Sequence, residues 1–112
     1  AWLTEDLAVT TLPTVVFVHQ RLDLDPASPY AIKQSPEVRK VLEATGNVRA
    51  VFQGHSHRNE LHEIGNIPYC TIAAMVEGSG EANSAYAMLE VYEDGTVQLK
   101  GFRKQESRRL PT

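Results

Sequence analysis

A single cysteine, Cys70, leaves this 112-residue chain without any internal disulfide framework. Set in the apolar context Ile67 to Ala74, it reads as a small buried hydrophobe. No apolar run is long enough to span a bilayer, and no signal peptide is visible. An initiating methionine is lacking too: the chain opens at Ala1, which points to a true N-terminus elsewhere and leaves localisation open, with the cytoplasm slightly favoured. Excess positive charge is absent, since 11 Lys and Arg face 14 Asp and Glu for a net charge of −3. A general affinity for duplex nucleic acid or an anionic membrane needs a basic face, and this composition argues against one. There is no internal repeat, no low-complexity linker and no glycine cradle between a strand and a helix. What remains, at 42% hydrophobic and 22% charged residues, is one ordinary globular unit.

The stretch most committed to chemistry is Val48-Arg49-Ala50-Val51-Phe52-Gln53-Gly54-His55-Ser56-His57. It is an apolar strand stopped by a glycine and followed at once by two histidines one residue apart. Such a run places His55 and His57 at the carboxyl end of a strand, where open α/β sheets put their ligand sites. Two imidazoles at i and i+2 on a loop can converge on a metal, although a bare H-x-H also occurs in plain polar turns. A second β-branched run, Thr14 to Val18, likewise ends on a histidine, His19. Neither run alternates polar with apolar, so both read as buried strands. As parallel neighbours they would deliver His19, His55 and His57 to one sheet edge.

Strand-His followed by strand-Gly-His-x-His resembles the last two signature motifs of the calcineurin-like metallophosphoesterases, the superfamily of purple acid phosphatases, Ser/Thr protein phosphatases and many phosphodiesterases. The resemblance runs through most of the chain, and its departures are as informative as its matches. The D-x-H, G-D-x-x-D and G-N-H-[DE] segments that come earlier in that family are not present. The resemblance therefore implies that residues 1–112 are the C-terminal half of a four-layer α/β/β/α sandwich, with a mixed sheet and hairpins. It further implies a centre of two divalent metal ions, Mn, Fe or Zn, to which this chain contributes His19 and His55 on one metal and His57 on the other. No catalytic side chain is assigned within the chain, because the usual catalytic histidine and the carboxylate and Asn ligands belong to the absent motifs. Ser56 is expected only to set the turn.

Around these motifs, Trp2 to Ala8 reads as an amphipathic helix with Leu3 and Leu7 at i, i+4, and Trp2 is expected in the core. The loop Gln20 to Tyr30 carries two prolines and no period. Its Asp23 and Asp25 lack the calcium-loop pattern and read as a solvated acidic turn. Arg21 and Tyr30 leave the same edge as His19 and are candidate contacts to a phosphate or a base. Ser35 to Gly46 is the clearest helix, with Ser35 as N-cap, Pro36 at the first helical position, Val38, Val41 and Leu42 as its buried stripe, and Gly46 as left-handed terminus. Beyond it, Glu60 to Ile64, the turn Gly65-Asn66 and a strand from Ile67 to Ala74, with Pro68 at its edge, form a hairpin. His62 is expected to face solvent and not to bind metal. A polar, small-residue loop from Glu77 to Ser84 precedes a second hairpin, Ala85 to Tyr92 and Thr96 to Arg103, joined at Asp94-Gly95 with Leu89, Val91, Val97, Leu99 and Phe102 on its packing face. Asn83 in that loop is a further candidate substrate contact. The basic tail Arg103, Lys104, Arg108 and Arg109 reads as frayed and solvated.

The activity implied is hydrolysis of a phosphomonoester or phosphodiester, with a nucleotide-like small molecule as substrate, and no duplex nucleic acid or membrane as partner. Two other readings stay open: a mononuclear zinc hydrolase, for which no general base is evident, and a non-catalytic interaction module. In the family fold two sheets pack face to face, and the C-terminal half is expected to supply one of them. Val15, Phe17, Val51 and Phe52 would then lack cover, so the chain is expected either as a homodimer or in association with the N-terminal half.

Overall fold

The two unbroken apolar runs become neighbouring parallel strands. In the computed structural model, which describes residues 2–74 and 80–110, β1 (Thr14–Val18) pairs with β2 (Val48–Gln53) from Thr14↔Val48 to Val18↔Gln53. Helix α2 (Ser35–Thr45) lies between them in the chain, as a crossover between parallel strands requires. It stops at Gly46, whose φ of 72° is the left-handed conformation that glycine adopts without penalty. Strands β3 (Glu60–Ile64) and β4 (Ile67–Thr71) form an antiparallel hairpin, and β4 inserts beside β2, giving the mixed order β1-β2-β4-β3. Its two-residue turn has positive φ at both Gly65 (57°) and Asn66 (64°), the primed geometry that matches strand twist. A second, antiparallel sheet follows, β5 (Tyr86–Val91), β6 (Val97–Phe102) and β7 (Arg108–Leu110), in that order.

The alternation of side chains along β2 divides the core in two. Val51 joins Leu7 of α1 (Trp2–Ala8), Leu42 of α2 and Tyr69 of β4 on the helical side. Ala50 and Phe52 meet Cys70, Val97, Leu99 and Leu110 between the two sheets. Helices, mixed sheet and antiparallel sheet thus stack as three layers of an α/β architecture. The outer helical layer of a four-layer sandwich is not found among the described residues.

Several expectations give way. The chain supplies both sheets, so Phe52 is buried against its own second sheet while Val51 is buried beneath the helices, and of Val15, Phe17, Val51 and Phe52 only Phe17, on the edge strand β1, is largely exposed, at 70%. Trp2 is 73% exposed rather than core, because Leu3 and Leu7 take the inward stripe of α1 and the neighbouring position lies about 100° away round the helix. Ser35 is not the N-cap. Gln34 holds that position, and the buried Ser35 hydroxyl donates to the Leu24 carbonyl at 3.0 Å. Pro68 lies in an internal strand, not at a sheet edge; it is tolerated because β4 pairs with β2 only from Tyr69 onward. β4 itself ends at Thr71.

The second hairpin is closed by residues 92–96, with the Tyr92 amide on the Thr96 carbonyl and Gly95 at φ 87°, a longer connection than Asp94-Gly95 alone. Phe102 is off the packing parity of Val97 and Leu99 and stacks outward on Tyr86 at 4.7 Å, and Val91 is exposed at the strand end. The basic tail is no frayed end: Arg108–Leu110 pairs with β6 and buries Leu110 completely. Of the small-residue loop, Glu77 to Ser79 lie outside the described residues, and Glu81–Asn83 form a short 3-10 turn.

Candidate metal centre

Parallel pairing of β1 with β2 brings their carboxyl ends level. The Gly54 amide donates to the His19 carbonyl at 3.0 Å, tying the two strand exits together. A Cβ at Gly54 would sit 3.7 Å from that oxygen, an ordinary contact, so space alone does not demand glycine there. Beyond Gly54 the backbone reverses tightly, with the Ser56 amide on the Gly54 carbonyl at 2.8 Å. His55 and His57 both adopt the left-handed region, at φ 67° and 63°. For non-glycine residues this costs about 1–3 kcal/mol each and persists only where surroundings hold it.

The result is a pair of facing imidazoles. His55 Nδ1 lies 3.1 Å from His19 Nε2, with the rings edge to face at 5.0 Å between centroids. Two nitrogens bound to one transition metal at about 2.0–2.1 Å stand about 2.8–3.4 Å apart for bond angles between octahedral and tetrahedral. The 3.1 Å separation falls within that range, and it is equally the length of a hydrogen bond between the two rings; imidazole is a ligand suited to Fe and Zn. Among the described residues no cluster of three or more His, Cys, Asp or Glu could hold a metal alone. His57 thus does not complete a three-histidine set with His19 and His55, and a mononuclear three-histidine zinc site gains no support.

The loop after His19 is ordered by its own backbone. Arg21 donates its amide to the Tyr30 carbonyl at 2.9 Å and accepts from the Ile32 amide at 3.0 Å, so the ends of the excursion are stapled. That staple sets the half-exposed Tyr30 ring 5.7 Å from His55, at 66° to it. Arg21 itself turns inward and is only 3% exposed. Its guanidinium grips Asp23 through two hydrogen bonds of 2.9 and 2.7 Å, meets Glu60 at 2.7 Å, and donates to the Ser56 hydroxyl at 3.2 Å. These contacts bury Arg21 and engage its guanidinium on protein acceptors. Asn83 sits at the head of β5, closing the 3-10 turn with its amide on the Gly80 carbonyl at 3.2 Å.

Asp23 is a buried hub and not a solvated turn residue. Burial alone would push its carboxyl pKa up, but hydrogen bonds from Arg21, Gln53 and His62 and the Arg21 charge outweigh burial and leave it below the ordinary value. The hydrogen bond to Asp23, with further help from Glu60 and the charges of both carboxylates, outweighs burial and raises the Arg21 pKa above its ordinary value. His62, though half exposed, sits 2.6 Å from Asp23 and is bound to this hub. Asp25 instead closes a local turn, accepting from the Ala27 amide at 2.8 Å. Sequence reading missed Gln53 as well. It is buried at the end of β2, where it accepts from the Leu22 amide and donates to Thr71, and a polar amide closing an otherwise apolar strand was the available signal.

No protein-family model matches the chain, and no curated protein matches it significantly in sequence. Solved structures do match it, among them a crystal structure of a dimetal phosphatase from Danio rerio. The TM-score is 0.82 at 19% identity, over 97% of this chain and 36% of that one. The two share a fold. The chain spans about a third of the length of that phosphatase, so the likeness concerns the arrangement of strands and helices and not the whole centre. No helix among the described residues is long and apolar enough to cross a membrane.

Proposed function

We propose that this chain is the C-terminal portion of a metal-dependent phosphoesterase, with His19 and His55 holding one divalent cation and His57 a second. The observation that carries the reading is the pair of imidazole nitrogens 3.1 Å apart at the ends of two parallel strands, on a fold shared with a dimetal phosphatase. Two cations bound there would supply the positive charge that hydrolysis of an anionic phosphate ester requires. The chain's own part is to fix the imidazoles: the Gly54 to His19 hydrogen bond sets their spacing, and the strained turn at His55 and His57 aims them. Carboxylate ligands and a general acid are expected from segments beyond these 112 residues. Tyr30, beside His55, offers an aromatic face to the group beyond the phosphate, and Asn83 is proposed as a polar contact from the second sheet. Such a face suits a nucleotide-like diester or diphosphate better than a bare monoester.

Elemental analysis of the full-length protein tests the ligand assignment. His55→Ala is expected to lose one metal, His57→Ala the other, and both to lose activity. Two metals retained with turnover intact in either variant would show the assignment to be wrong. For substrate class, bis-aryl phosphate or a nucleotide diester is expected to be cleaved faster than an aryl monoester. A hundredfold preference for the monoester would reverse that conclusion.

A further inference from the structure

The Arg21 guanidinium connects the loop after β1 to the histidine-bearing turn after β2, and nothing in the proposed chemistry uses it. Three of its nitrogens are occupied, two on Asp23, one of them shared with Glu60, and the third on the Ser56 hydroxyl. Asp23 is in turn anchored by Gln53 and by His62, which stands on β3, and Glu60 is the first residue of β3. The guanidinium is therefore locked from the far side by two carboxylates rooted in different elements, and its remaining arm reaches the one residue between His55 and His57.

That residue sits where the backbone is least content. His55 and His57 flank Ser56, both left-handed, and neither is glycine. A turn with two such residues relaxes unless something outside it holds the centre. The Ser56 amide is held by Gly54 within the turn, whereas the hydroxyl is held by Arg21, 35 positions away in the chain. We propose that Arg21 is a positioning residue for the metal centre, acting through Ser56 to hold the His55-Ser56-His57 turn in its ligating conformation. The fork geometry explains why arginine stands there: a lysine ammonium is a single point of charge and cannot satisfy Asp23, Glu60 and Ser56 from one rigid plane. The inference rests on the metal reading for its consequence, but not for the geometry it describes.

The test uses Ser56→Ala, Ser56→Thr and Arg21→Lys in the full-length protein, with two readouts. The first is manganese affinity by titration. The second is the imidazole 15N signals of His55 and His57 in the metal-free protein, which report the turn without any metal. Ser56→Ala is expected to shift both imidazole signals and to weaken manganese binding about 10- to 100-fold, the range for partners that orient metal ligands. Its metal-free thermal midpoint should stay near wild type. Ser56→Thr, which keeps the hydroxyl, should restore both readouts, and Arg21→Lys should resemble Ser56→Ala. Unchanged signals and unchanged affinity in Ser56→Ala overturn the positioning role and leave the ligand assignment standing. Shifted signals in a protein whose wild type binds no manganese overturn the metal reading and support the positioning role.

Discussion

At the scale of single residues, the hub around Asp23 and Arg21 decides more than any exposed side chain. Taking one partner from a buried, hydrogen-bonded ion pair costs about 3–5 kcal/mol, because the other charge is left buried and unpaired. Asp23→Asn is expected near the lower end, about 3 kcal/mol, since Glu60 still faces Arg21. Acid should erase that difference. The folded-state pKa of Asp23 is depressed, so the unfolded chain takes up its proton first as pH falls. The contribution is fully present above the unfolded value of about 3.9 and is lost as pH drops through the folded one. Urea melts at pH 6 and at pH 3 should show the gap between wild type and Asp23→Asn narrowing at the lower pH. A gap that stays constant would mean the carboxylate charge contributes nothing.

Among the elements, two glycines make opposite demands. A Cβ on Gly101 of β6 would lie 2.1 Å from the Gln105 carbonyl oxygen and 2.6 Å from that of Glu106. Both are backbone atoms of the β6 to β7 connection, so that connection would have to move. It carries the buried Gln105, whose side-chain oxygen accepts from the Ala73 amide at 2.7 Å and so ties the second sheet to the end of β4. Gly101→Ala is expected to destabilise by about 2 kcal/mol through overpacking. Gly54→Ala should cost under 1 kcal/mol despite its place between β2 and the histidines, because its added methyl meets only an ordinary contact. Denaturant midpoints of the two variants check this ranking, and equal losses would sink it.

For the molecule as a whole, one edge strand that carries an exposed aromatic is β1. It stands at one end of the order β1-β2-β4-β3, with one side of its backbone unpaired among the described residues, and Phe17 projects from it largely exposed. An unpaired edge bearing a large aromatic is a template for another strand. The 112-residue chain purified alone is expected to be a homodimer, covering that edge with a second copy. Without carboxylate ligands, it should show no measurable phosphatase activity. Phe17→Lys should shift it toward monomer. Light scattering that finds wild type monomeric and folded at dilute concentration would dispose of this expectation.

Local pattern by itself determined most of the elements and their kind. Unbroken β-branched runs gave parallel neighbours, the glycine after Thr45 ended a helix, and Gly65-Asn66 closed a hairpin, because strand burial, left-handed termini and primed turns are properties of a few consecutive residues. The same locality made His19, His55 and His57 visible as strand-end residues. Tertiary structure alone decided what those residues face. Arg21 and Asp23 look like loop charges until Glu60 and His62, each 39 positions on from its partner, close around them. The last strand is made by pairing to β6, which no basic tail announces. Trp2 and Phe17 look like core until the fold shows that the first lies off the inward stripe and the second on an edge. Burial and charge pairing are set by segments far apart in the chain, and hydrophobic pattern reports only the near ones.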